Sequence, residues 1–157
     1  MSKHSEKAVD LFRQGYNCGQ SVFAAFSDVT GMDTTTALRL TSPLGGGMGH
    51  LREVCGAVSG MFLVAGMLYG FEDPKDGSAK AEHYKIIQEL AKGFRDKNGS
   101  LLCRELLGLE PGMTSPEPLT DAQKRGAPHS CEDLIRCAAE RMDTYLEEHG
   151  KKIPACV

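Results

Sequence analysis

The stretch Gly45 to Gly70, GGGMGHLREVCGAVSGMFLVAGMLYG, decides how the rest of the chain is arranged. Gly45, Gly46, Gly47 and Gly49 free the backbone from ordinary steric limits. Cys55 then opens a long uncharged run in which Gly56, Ala57, Ser59 and Gly60 present almost no side chain. Each glycine inside a helix costs roughly 1 kcal/mol relative to alanine. Close approach of a neighbouring backbone or a cofactor around Cys55 is the compensation this pattern predicts. The uncharged run from Val54 to Phe71 reaches about the length that can cross a bilayer. It is broken by glycines and has no second apolar segment to pair with. It therefore reads as a buried central helix rather than a membrane span.

Working outward, Lys3 to Arg13 places Ala8, Val9, Leu11 and Phe12 on one side of a first amphipathic helix, with Gly15 beyond its end. Asn17 caps a second helix that starts at Cys18 and runs to Gly31. Asp33 caps a third, TTTALRLTS, which stops before Pro43. The central helix is expected from about Arg52 to Tyr69. Asp76 or Ser78 caps the next, whose Ala81, Tyr84, Ile87, Leu90, Ala91 and Phe94 recur at helical spacing up to Asn98-Gly99. Ser100 starts a short helix from Leu101 to Leu107. Gly108 to Pro128 reads as a long surface loop, and Ser130 caps a last helix to Gly150. No segment alternates with period two. The expected fold is all-α: one domain over residues 1–157, a bundle of about six or seven helices around the glycine-rich one.

Composition removes several function classes. The net charge is −3 and the pI about 5.9, so no basic surface argues for nucleic acid. Tryptophan is absent and aromatics are 6%, too few for stacking on single strands. The N-terminus lacks an apolar signal region, which predicts a cytoplasmic protein. In that compartment six cysteines are metal ligands, redox thiols or buried small side chains rather than a disulfide framework.

Four cysteines share one local setting. Cys18 follows Asn17, Cys55 lies in the first turn of the central helix, Cys103 follows Ser100, and Cys131 follows Ser130. Each thiol is expected near a helix N-terminus, where free N–H groups and the positive dipole end lower a thiol's pKa. Thiolate is the form that binds metal or attacks a disulfide. No C-x-x-C occurs, so tertiary folding has to bring the four together. Four thiolates suit zinc or an iron–sulfur cluster, with Gly45, Gly46, Gly47, Gly49 and Gly56 placed to offer N–H groups to a bound cofactor. Against this stands the common role of cysteine as a small buried side chain. Cys137, about 240° around its helix from Cys131, is assigned to the core, and Cys156 to a loose tail. GGGMGH resembles a phosphate loop only superficially, since no strand precedes it and no Walker lysine follows. His50 and His129 flank the cysteine regions as ligands, proton carriers or, more simply, solvated side chains. Arg52 and Glu53 are placed at the edge of the site, and Arg104-Glu105 as a solvated pair.

The motifs GYNCGQSV, LGGGMGHLREVCGAVSG, NGSLLCRELLG and HSCEDLIRCAAE together resemble the C_GCAxxG_C_C family of redox-active proteins. Where the family name has GCAxxG, this chain has Cys55-Gly56-Ala57-Val58-Ser59-Gly60. The resemblance implies a redox role for Cys18, Cys55, Cys103 and Cys131. It also extends to the split-Soret cytochrome group, which carries haem and an iron–sulfur centre. The haem-attachment motif C-x-x-C-H is missing here, so only the cluster function carries over. The leading expectation is electron transfer through an iron–sulfur cluster, [2Fe–2S] or [4Fe–4S], to a redox partner protein. A metal-free thiol–disulfide oxidoreductase and a structural Cys₄ zinc module are the alternatives. The apolar, glycine-rich central helix also makes a homodimer plausible.

Overall fold

The computed structural model describes residues 1–151, so Cys156 and most of the expected loose tail lie outside the described residues. The chain is all-α, with 67% of it helical. Among the described residues, six helices have eight or more residues: α1 (Lys3–Arg13), α2 (Cys18–Ala25), α4 (Thr34–Thr41), α6 (Gly56–Tyr69), α7 (Gly77–Asn98) and α10 (Cys131–His149). Between them lie single turns, α3 (Ser27–Thr30), α5 (Gly45–Met48), α8 (Cys103–Leu106) and α9 (Asp121–Lys124), and a 3₁₀ turn over Ser42–Leu44.

Capping fixes most of the helix starts. Ser2, Asn17, Asp33, Asp76 and Ser130 each accept an N–H from the first turn of their helix. At α2 the Gln20 side chain also reaches back to the Asn17 N–H at 3.0 Å, completing a capping box. The expected second helix is broken at Phe26, which leaves helical geometry and separates α2 from α3. The central helix is also shorter than expected. Arg52 has φ +62°, and Val54 forms an isolated antiparallel bridge with Leu102, so α6 starts only at Gly56.

The central helix α6 packs against α2, α7 and α10, while α1 lies across α2 and α10. Its Val58, Met61, Val64, Ala65 and Leu68 are buried with Phe23, Phe26, Phe94, Ile135 and Met142. Each large side chain of this set contributes roughly 1.5–3 kcal/mol by leaving water. The contact of α6 with α2 is backbone to backbone. A Cβ on Gly60 would lie 2.9 Å from the Gly19 carbonyl oxygen, and one on Gly56 would lie 2.6 Å from the Leu44 carbonyl oxygen. That is the compensation expected for glycine in this helix. Among the described residues no helix is long and apolar enough to cross a membrane.

Candidate functional site

Four helix starts converge at one end of the bundle. Cys18, Cys103 and Cys131 are the first residues of α2, α8 and α10, and Cys55 is the N-cap of α6. The Val54–Leu102 bridge sets two of them side by side: the Cys55 N–H donates to the Leu101 carbonyl at 2.8 Å, and the Cys103 N–H to the Glu53 carbonyl at 2.7 Å. Ser100 therefore does not cap α8. Its Oγ accepts the Leu102 N–H instead, and the turn begins at Cys103.

All four cysteines line one cavity of about 180 Å³, roughly the volume of six waters. Cys55 and Cys103 are almost fully buried, at 4% and 6% exposure, while Cys18 and Cys131 are partly open. Among the described residues no three His, Cys, Asp or Glu side chains are drawn onto a point where they could hold a single metal ion. Cys137 lines no part of the cavity. It is buried in α10, where the Asn98 side-chain amide donates to its sulfur at 3.2 Å.

The glycine loop supplies one wall. Gly46 and Gly47 have φ of +63° and +67°, and a Cβ on Gly47 would sit 2.7 Å from the Cys103 Cβ. The carbonyls of Gly45, Gly46 and Gly47 accept the N–H groups of His50, Arg52 and Glu53, which ties the loop into a compact coil. Gly46, Gly47 and Gly56 border the cavity. Gly45 and Gly49 do not: Gly45 packs against the Asn17 side chain, and Gly49 is an exposed helix end. Three residues of the loop, Met48, His50 and Arg52, also take positive φ without being glycine. Such conformations cost energy and concentrate where a site needs a particular backbone path.

Arg52 is the residue the sequence reading underweighted. It is 5% exposed, donates from Nε to the Met113 carbonyl at 3.2 Å, and points Nη1 at the Cys103 sulfur at 3.8 Å. Among the described residues it meets no carboxylate. Its neighbour Glu53 pairs instead with Arg104 at 3.1 Å, which replaces the expected Arg104–Glu105 pair, and Glu105 accepts a hydrogen bond from Ser100 Oγ. The cavity lining includes Arg52 and Lys124 and no aspartate or glutamate. His50 lines it too, its Nδ1 3.1 Å from the Ser115 carbonyl oxygen, whereas His129 lies outside it. Pro118, Leu119 and Lys124 close the space from above. They belong to the segment read as a plain surface loop, in which Thr120 and Gln123 form a capping box for α9. The T-x-x-Q pattern was the available signal for that turn.

The thiols do not all acidify as their helix-end positions suggest. Burial pushes Cys55 up to about 12, against the opposing influence of the Val58 and Ala57 N–H groups. Burial also raises Cys103, with Arg52 pulling the other way. Cys18 is raised, first by its interaction with the Cys131 thiol and then by burial. Cys131 alone is lowered, to about 7, first by its interaction with Cys18 and then by the positive charges of Lys124 and Arg52. Desolvation thus outweighs the helix ends at Cys55 and Cys103, while Cys18 is raised first by its Cys131 neighbour. The arrangement can hold one thiolate on its own, and more once a cationic centre enters the cavity.

No curated protein and no solved structure matches the chain. Residues 16–145 match the family model described as "Putative redox-active protein (C_GCAxxG_C_C)", a span that holds all four cavity cysteines. The chain belongs to the C_GCAxxG_C_C family of redox-active proteins.

Proposed function

We propose that this chain holds an iron–sulfur cluster through Cys18, Cys55, Cys103 and Cys131 and exchanges electrons with a partner. The observation that carries this reading is a single cavity lined by four thiols and a buried guanidinium, which among the described residues meets no carboxylate. A buried cation without a counter-charge is costly. The cost is removed if the cavity's occupant is net negative, as a metal centre bearing four thiolates is. The placement of the thiols supports a polynuclear centre over a single ion. A closed zinc site needs four sulfurs about 2.3 Å from one point, and among the described residues no three such ligands are grouped on one point.

When bound, a cluster supplies one-electron chemistry. The chain's own residues set its surroundings. Burial of Cys55 and Cys103 excludes water from the inner side, and Arg52 places positive charge beside Cys103. Gly46, Gly47 and Gly56 keep that wall free of side chains. Protein prepared anaerobically and reconstituted with iron and sulfide should be brown and contain both. Serine at any of the four positions should lower the bound iron at least severalfold, and Cys137→Ser should not. Iron-free protein after reconstitution would overturn the proposal.

The Cys18–Cys131 contact supports a second reading, thiol–disulfide exchange without metal. Cys131 as thiolate would attack a substrate disulfide and release one thiolate. Cys18 would then resolve the mixed disulfide, leaving a Cys18–Cys131 disulfide and a fully reduced dithiol product. Equal thiol counts in samples treated with and without oxidised dithiothreitol would exclude it.

A further inference from the structure

A second chamber adjoins the cysteine cavity and takes in one of its four cysteines, Cys131. It has a volume of about 330 Å³, within the range of small-molecule sites. Phe12, Leu107, Leu119 and Ala127 form apolar walls. It meets the cysteine cavity along Phe12, Leu107, Leu119, Lys124 and Cys131, which line both spaces. Cys55 and Cys103 are buried on the far side, so this chamber leads to the partly open Cys131.

The charges in the chamber point one way. Glu132 lies on its wall, but its carboxylate is already engaged by Arg13, at 2.7 and 3.1 Å, and by Arg136 at 3.2 Å. Lys124 stands at the junction of the two spaces and has no ion-pair partner among the described residues. His129 adds ring nitrogens able to hydrogen-bond, and Gln123 a side-chain amide. A cavity of about 150 Å³ with apolar walls accommodates benzene, so this one has room for an aromatic-sized body carrying a charged group.

We propose that this chamber binds a small organic anion, an apolar ring or short chain bearing one carboxylate, with its charge on Lys124 and its body against Cys131. The site gives the thiol centre a small-molecule reactant or effector in addition to any protein partner. The proposal adds to the redox reading but stands on the chamber itself, so it is tested in metal-free protein.

The measurement is the rate of Cys131 alkylation by iodoacetamide in reduced, metal-free full-length chain, resolved by mass spectrometry with Cys137 as the internal reference. The probe is 2-naphthoate, and the neutral comparison is 2-naphthylmethanol. Saturating naphthoate should slow Cys131 at least tenfold and leave Cys137 unchanged, with naphthylmethanol protecting at least tenfold more weakly at the same concentration. In Lys124→Gln, whose altered side chain is exposed and leaves the core intact, the ratio of rates with and without naphthoate should return to near one. No protection of Cys131 in the native sequence, or equal protection in Lys124→Gln, would overturn the proposal. Because no metal is present, neither result depends on whether a cluster binds.

Discussion

Arg52 brings a positive charge into a space where, among the described residues, no carboxylate meets it, and its Nη1 is aimed at Cys103. Replacing it with methionine keeps most of the buried stem and removes the charge. The Cys103 thiol should then titrate higher in metal-free Arg52→Met, since the guanidinium is what opposes the effect of burial there. A pH profile of alkylation at Cys103 reads this directly, and an unchanged profile would show that Arg52 merely fills space. His4 is the other residue whose charge matters. Its ring stacks on Phe26, its Nδ1 lies 2.5 Å from Asp143 and its Nε2 3.0 Å from Asp28. The hydrogen bond to Asp143 is the largest influence and raises the histidine above its ordinary value. The protonated ring therefore stabilises the fold fully below about pH 6.5, and that stability is lost as pH rises through the folded value. Asp28 is lowered to about 2 by Lys3 and His4, against its own desolvation, so its contribution is present above about pH 4 and lost in acid. Urea midpoints of the native chain should decline from pH 6 to 8, and those of His4→Gln should decline less.

Among the elements, α6 shows which features a sequence reveals and which it conceals. Its glycines announced a close approach, and the partner is the α2 backbone at Gly19. Gly60→Ala should cost about 1–3 kcal/mol through overpacking of that contact, measured by denaturant unfolding. Gly66, where an added Cβ meets nothing within 4 Å, should tolerate alanine. Caps at Asn17 and Ser130 were readable because a polar side chain before an apolar helix has few other uses. The start of α8 was not, because the Val54–Leu102 bridge is one residue pair and leaves no period in the sequence. Arg52 was similarly obscured, since arginine is mostly a surface residue. The segment from Gly108 to Pro128 looked like a surface loop by composition, and most of it is exposed. Nothing in its proline, glycine and threonine content says that Leu119 and Lys124 roof two cavities.

Across the whole molecule, three thiols held above their ordinary range in an all-α bundle link stability to pH from the alkaline side. Cys18, Cys55 and Cys103 are all raised above the ordinary thiol value near 9. The unfolded chain loses these protons first, so metal-free protein should lose stability as pH rises above about 9. A thiol that ionises only on unfolding contributes a slope of roughly 1.4 kcal/mol per pH unit. Cys55 sustains that slope up to about pH 12. Serine at Cys55 should flatten the curve by one thiol's share. The family match over residues 16–145 and the helical bundle fix the redox class and the architecture. Four helix starts converge on one cavity lined by cysteines, which is where the proposed centre would sit. The most direct test is to alkylate anaerobically reconstituted protein before and after iron is stripped by a chelator, and to identify the modified cysteines by mass spectrometry. Cys18, Cys55, Cys103 and Cys131 should react only after stripping, with Cys137 unchanged between the two samples. If those four cysteines react alike in both samples, they do not hold one centre.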